Sequence, residues 1–362
     1  MRTARRSRYT APLNKALAVF FKEAVTVSLK NPSQSLVFLQ TVRNQRRSAR
    51  LRAAWKARGV QVPPIIILSV TNRCNLHCQG CFHQAMRDVR KSEMSESQLR
   101  SIIAQGRDLG ASFMVLAGGE PLVRPDILQI TRDFPDIIFF LFTNGTLIDE
   151  EVATRFKIQR NVVPLLSLEG DEQETDSRRG AGIFQHLQGV IEKFRRDSVF
   201  FGVSLTVTRQ NFDTVTTPEF VRRITALGGK LLLFAEYTPV KAGSEDWVIT
   251  SAQRAALARI IEDFKRRHSA LFVNVPGDEK DFGGCLSAAR GFVHVSAEGD
   301  LEPCPFAPYS DANLNQKSLL EALQSPFLKA VRESEDHLEE SQGSCALWAR
   351  REWVKGLLEK TG

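Results

Sequence analysis

From residue 63 onward the chain alternates between two hydrophobic periods. Short, almost unbroken apolar runs occur at 65–70 (IIILSV), 113–117 (FMVLA), 137–142 (IIFFLF), 162–168 (VVPLLSL), 199–207 (VFFGVSLTV) and 230–236 (KLLLFAE). Stretches with helical spacing of their apolar positions lie between them, at 95–109, 125–134, 148–158, 183–197 and 217–227. Six strands alternating with helices predict a parallel sheet with crossover helices. Strands apolar along their whole length predict a sheet covered on both faces. This is an α/β fold, and the periodicity fits an open doubly wound sheet as well as a partial barrel.

The ends of the chain read differently. Residues 12–30 place Leu13, Leu17, Phe20, Phe21 and Ala24 near helical spacing, an amphipathic helix. An Arg-rich helical stretch at 36–58 ends at Gly59, before Pro63-Pro64, which cannot continue it. After a long helix at about 251–268, residues 282–310 read as a compact hairpin turning at Ala297–Asp300. Helices follow at roughly 317–332 and 345–359. The expected units are a helical arm at 1–62, a core at 63–245 and a C-terminal lobe at 246–362.

Charge sharpens this division. The net charge of the 362 residues is +8, yet residues 1–62 hold 14 Lys and Arg against one acid, Glu23. The arm therefore carries +13 and the remainder −5. Such an arm attracts an anionic phospholipid surface, nucleic acid or the acidic body itself. The apolar run Ala16–Phe21 is too short for a signal peptide, and nothing approaches the roughly 20 apolar residues of a membrane span. The expected location is cytoplasmic, with a membrane surface as one destination of the arm.

The six cysteines fall into two sets, Cys74, Cys78 and Cys81 within eight residues, and Cys285, Cys304 and Cys345 across the last quarter. Metal binding is the better prior than disulfides for a chain without an export signal. The first set reads C-x3-C-x2-C immediately after the first strand. Three thiolates hold three irons of a cube and leave the fourth iron open, where an electron-transfer cluster normally has four cysteines. Carboxyl ends of parallel strands are also where α/β folds place active sites. Zinc is the competing reading, with His77 or His83 as further ligands.

Further motifs follow in order. Gly118-Gly119-Glu120-Pro121 ends the second strand, 37 residues after Cys81. Thr143-Asn144-Gly145 follows the third, and Ser167-Leu168-Glu169-Gly170 the fourth. Over about 65–240 this series resembles the radical S-adenosylmethionine (SAM) superfamily, with Glu169 where Asp is usual. The resemblance implies a partial (β/α)6 barrel and a [4Fe–4S] cluster on Cys74, Cys78 and Cys81. It implies SAM chelating the open iron, with its amino group received by Gly118, Gly119, Glu120 and Pro121. Asn144, Ser167 and Glu169 would face the ribose or substrate, and Arg178 or Arg179 would pair with the SAM carboxylate. A reduced cluster would then split SAM to a 5′-deoxyadenosyl radical that abstracts hydrogen from a C–H bond. A low-potential donor, ferredoxin or flavodoxin, is implied. The reaction subclass and catalytic residues stay open, and a non-catalytic iron–sulfur or zinc protein retaining the fold is the alternative.

Cys285-x13-Gly299-x4-Cys304 resembles the opening of the SPASM or shorter twitch extension of that superfamily, which holds an auxiliary [4Fe–4S] cluster. With Cys345 the count is three, so the second cluster is open or is completed by His337 or a carboxylate. Buried, reduced core cysteines are the simpler reading. The arm favours a lipid or lipid-linked substrate at a membrane, an acidic peptide, or a brace against the body. Nucleic acid is disfavoured because the arm lacks interleaved aromatic residues for stacking.

Overall fold

The computed structural model describes residues 10–338 and 345–361. Two helices come first, α1 (Thr10–Val27) and α2 (Pro32–Ala57). Then β1 (Ile65–Thr71), β2 (Phe113–Gly118), β3 (Ile138–Thr143), β4 (Val162–Leu168), β5 (Gly202–Val207) and β6 (Leu231–Glu236) lie side by side, all parallel. Connecting them are α3 (Phe82–Met86), α4 (Glu96–Leu109), α5 (Ile127–Arg132), α6 (Glu150–Ile158), α7 (Glu172–Arg179), α8 (Ile183–Arg196) and the helix Pro218–Ala226. The alternation of strand and helix left an open sheet and a partial barrel both possible; the result is the partial parallel barrel that the family resemblance implied.

Two features enlarge the expected sheet. A seventh parallel strand, β7 (Leu271–Val275), follows the long helix Ser251–Arg267 and pairs with β6. At the other edge, β8 (Phe292–Val295) runs parallel to β1, with Ile65 opposite Phe292, and β9 (Leu301–Glu302) folds back on β8. The hairpin read from the sequence is thus present, but it continues the core sheet to a total of nine strands. The edge of β1 offers unpaired N–H and C=O groups, and β8 satisfies them.

Alternation along the strands separates two cores. Phe139 and Leu141 of β3 join the outer core beneath the crossover helices, whereas Ile138 and Phe140 join an inner one. The inner core is filled by the N-terminal arm. Phe21, Ala24 and Phe38 pack with Ile138, Phe140, Val163, Leu165, Leu231 and Leu271, residues of the first halves of their strands. Leu13 and Leu17 pack against Leu286. Polar ties repeat the placement. Asn31 Nδ2 donates to Ser198 O (2.7 Å), Gln34 Nε2 to Arg160 O (3.0 Å) and Arg52 Nη1 to Ser112 Oγ (2.9 Å). All three partners precede a strand. The α1–α2 hairpin therefore plugs the barrel at the amino ends of its strands. Its apolar face is inside the protein, which is the brace the sequence allowed and not a face free to enter lipid. The basic cluster Arg2–Arg8 lies outside the described residues.

Candidate functional site

The opposite, carboxyl end of the barrel carries the cysteine loop. β1 ends at Thr71, the loop runs to Cys81, and Cys81 is the cap of α3. Glu93 fixes the start of the loop, accepting from Thr71 Oγ1 (2.9 Å) and from the backbone N–H of Asn72 (2.8 Å). The Gly-Gly motif holds the next part through its backbone: Gly119 N–H donates to Thr71 O (2.8 Å) and Glu120 N–H to Arg73 O (2.9 Å). That approach leaves no room for a side chain. A Cβ on Gly118, whose φ is +123°, would lie 2.3 Å from Thr71 O, and one on Gly119 would lie 2.1 Å from Arg73 O.

Glu120 works from the same place. Its buried carboxylate accepts from Thr143 Oγ1 (2.8 Å), Asn144 N–H (2.7 Å) and Leu122 N–H (3.1 Å). Burial pushes its pKa up, and these three donors oppose the shift. Its first task is to join the ends of β2 and β3, more local than the ammonium contact inferred from the motif. Asn144 continues the link, donating to Asn75 Oδ1 (2.8 Å) with its amide 4.0 Å from Cys74 Sγ. Pro121 is buried in the one-turn helix after Glu120.

Arg178 and Arg179 sit in the last turn of α7, a helix outside the stretches whose spacing predicted helices; Asp171 and Glu174 form a capping box at its start. Both guanidiniums converge on Glu169, with Arg179 Nε 2.9 Å from Oε1 and Arg178 also paired with it. Arg178 donates to Thr206 Oγ1 (2.8 Å), and Arg179 Nη1 lies 4.0 Å from Cys78 Sγ. The second carboxylate oxygen, Oε2 of Glu169, is buried with no hydrogen-bond partner among the described residues. Ser167 stands on the inner face beside Ser204 of β5. A cavity of about 280 Å³ is lined by Gln79, Glu169, Arg178, Thr208, Asn211 and Trp247.

The donor chemistry of the loop fits an iron–sulfur cluster. Cys74, Cys78 and Cys81 are half-buried free thiols. Burial raises the pKa of Cys74 and Cys78, while Arg179 and then Arg178 lower that of Cys78. Coordination of a cluster would supply the remaining drive to deprotonate them. Among the described residues, no three His, Cys, Asp or Glu side chains close to the spacing of a single ion. A four-iron cube holds its thiolates further apart than one ion does.

The C-terminal cysteines also meet. Cys285 and Cys304 are buried and Cys345 is half-buried. Cys304 and Cys345 share a hydrogen bond that holds the Cys304 thiol neutral and lowers the pKa of Cys345. Burial raises Cys285, with the charges of Glu279 and Cys345 adding to it. Phe306 N–H donates to Cys304 Sγ at 3.3 Å. His337, named from the sequence as a further ligand, stacks flat on Trp353 with ring centroids 4.4 Å apart.

One buried network escaped the sequence reading. Ser69 Oγ lies 2.8 Å from His294 Nε2, His294 Nδ1 lies 2.7 Å from Glu302, and Arg87 grips Glu302 with two 2.7 Å bonds. Burial works against the Glu302 carboxylate, but hydrogen bonds from Arg87 and His294 hold its pKa below the usual range. Burial lowers the pKa of His294. Its Nδ1–H therefore donates to Glu302, and Nε2 accepts from Ser69. The chain of bonds runs from β1, which leads into Cys74, to β9, two residues before Cys304. Phe82, next to Cys81, packs its ring 4.8 Å from that of Phe306. A serine and a histidine inside otherwise apolar strands were the only signals, and pairing β8 with β1 is what joins them.

Fold and site together define an enzyme class. The chain belongs to the radical SAM superfamily, whose family model matches residues 68–217. It is an enzyme of that class, and membership implies a [4Fe–4S] cluster and SAM. It is 27% identical over 317 residues to the AdoMet-dependent heme synthase of Methanosarcina barkeri, covering 79% of this chain and 88% of that protein. It is 26% identical over 316 residues to mycofactocin maturase MftC of Mycobacterium tuberculosis, covering 80% and 79%. SuiB of Streptococcus suis, in a crystal structure bound to the precursor peptide SuiA, shares the fold. It has a TM-score of 0.65 at 18% identity, over 82% of this chain and 72% of that one.

Proposed function

We propose that this enzyme uses SAM at the Cys74–Cys78–Cys81 loop to abstract hydrogen from a porphyrin or peptide substrate, and that Cys285, Cys304 and Cys345 hold a second cluster. The observation that carries the reading is the three-cysteine loop pinned at the carboxyl end of β1 by the backbone of Gly119 and Glu120. Bound there, the cluster and SAM supply one-electron cleavage of the sulfonium and a 5′-deoxyadenosyl radical. The chain's own residues do the rest. Gly118 to Pro121 bring backbone against the loop, and the free oxygen of Glu169 is an acceptor for a ribose hydroxyl. Arg179 places a positive charge beside Cys78 that offsets the negative cluster. Ser167 and Thr206 face the space inside the barrel.

The substrate classes are those carried by the relatives' names: heme synthases, and a protein holding a precursor peptide. A lipid substrate loses its motive, because the arm that suggested it sits at the far end of the barrel. Ferredoxin or flavodoxin is the proposed electron donor. The second cluster would provide a one-electron acceptor beside the substrate, suited to oxidation.

The test is anaerobic reconstitution with iron and sulfide, comparing wild type with the triple variant Cys74→Ala/Cys78→Ala/Cys81→Ala. About eight irons, falling to about four in the variant, with 5′-deoxyadenosine formed by wild type alone, is the expected result. About four irons in wild type would remove the second cluster and keep the first. Zinc in place of iron, with no 5′-deoxyadenosine from SAM and dithionite, would overturn the whole reading.

A further inference from the structure

The outward side of the N-terminal hairpin has properties that its role as a plug does not require. Large apolar side chains are exposed there: Leu29 at 64%, Leu36 at 65% and Leu39 at 39%. Ile158, 76% exposed, is the last residue of α6 and stands two residues before Arg160, which bonds to Asn31 and Gln34 of the hairpin. Plugging the barrel uses the other faces of α1 and α2, so packing does not account for this group.

The same side is basic. Arg43, Arg46, Arg47 and Arg50 follow Leu36 and Leu39 at a spacing of three to four residues, all on the exposed stripe of α2. No ion pair is recorded for any of them among the described residues. Lys30, in the turn beside Leu29, is exposed and close enough to Lys230 to lower that lysine's pKa, after burial. Lys30 and Lys230 are like charges brought together, which costs stability unless an anion screens them.

We propose that this end of the barrel is a docking surface for an anionic phospholipid bilayer. The arginine row and Lys30 would meet the headgroups, and Leu29, Leu36 and Ile158 would enter the boundary with the acyl chains. Charge complementarity favours an anionic partner, and exposed leucine and isoleucine, with no exposed aromatic beside them among the described residues, favour lipid over nucleic acid. The surface is formed by the folded hairpin and not by an unwound amphipathic helix. The cysteine loop lies at the other end of the strands, so a docked enzyme presents its site to the water and not to the bilayer.

The test uses the full-length, reconstituted protein in flotation with phosphatidylcholine vesicles, with and without phosphatidylglycerol. Binding only to the anionic vesicles, weakened by added salt, is expected. Arg46→Glu/Arg47→Glu should lower the partition coefficient by roughly tenfold or more. Leu29→Ser/Leu36→Ser should weaken it at unchanged charge. Both variants should keep their iron and their 5′-deoxyadenosine formation, because neither pair touches the site. Equal binding to both vesicle types, binding to neither, or a charge reversal without effect overturns the proposal. So does an RNA oligonucleotide that strips the protein from the vesicles at equal phosphate concentration, which would make nucleic acid the partner.

Discussion

At the scale of single residues, the site is governed by how closely groups are forced together. Gly119 is the sharpest case, because a Cβ there meets a backbone carbonyl that cannot swing aside. Gly119→Ala should push the Arg73 peptide away and open the cysteine loop. Iron content and the visible absorption of the reconstituted cluster should fall well below wild type, while far-ultraviolet circular dichroism stays unchanged. A fully loaded, native-like Gly119→Ala protein would show that the loop does not depend on this contact. His294 gives a second prediction. Its pKa is depressed in the folded chain, so the unfolded chain binds more protons as the pH falls below the usual histidine value of about 6.5. Stability is therefore fully present above that value and declines below it, at a limiting slope of about 1.4 kcal/mol per pH unit for one proton. Urea titrations across this range should show the decline, and His294→Gln should remove the histidine's share of it. A variant with the wild-type slope would mean that other groups carry the dependence.

Among the elements, the α1–α2 hairpin does the most that its sequence did not announce. Phe21 and Phe38 are fully buried in the inner core, and Phe38 packs edge-on to Phe200 with centroids 4.9 Å apart. Phe38→Ala should cost about 3–5 kcal/mol of global stability, the range for an emptied phenylalanine site. A midpoint in urea within error of wild type would instead mean that the hairpin folds as an independent appendage. The strands themselves were readable. Six apolar runs became β1 to β6, because burial on both faces demands an unbroken apolar strand. β7 was missed because Leu271–Val275 is short and includes Asn274, so it does not look like the others. α7 was missed because its eight residues include only charged and polar side chains, and its single buried residue is Thr175. The cysteine loop and Gly-Gly-Glu-Pro were legible as motifs, since each is a contiguous stretch. The convergence of Arg178 and Arg179 on Glu169 was not, since strand and helix must be folded before the charges meet.

Across the whole molecule, function is divided between the two ends of one sheet. The carboxyl ends carry the cysteine loop, Glu120, Glu169 and the cavity; the amino ends are sealed by the hairpin and carry its exposed arginine row. No helix among the described residues is long and apolar enough to cross a membrane. The sequence by itself determined the class of protein: strand period, helix period and the order of cysteine and glycine motifs are local properties that need no partner. It also set the excess of positive charge on residues 1–62, because charge is a matter of composition. Only the tertiary structure decided that the hairpin's apolar face is inside the barrel, that β8 joins β1, and that Ser69, His294, Glu302 and Arg87 form one chain of hydrogen bonds. Those facts rest on contacts between residues far apart in the chain, 225 positions for Ser69 and His294 and 227 for Ile65 and Phe292. Which distant surfaces meet depends on the edges and faces left open once the local elements have formed.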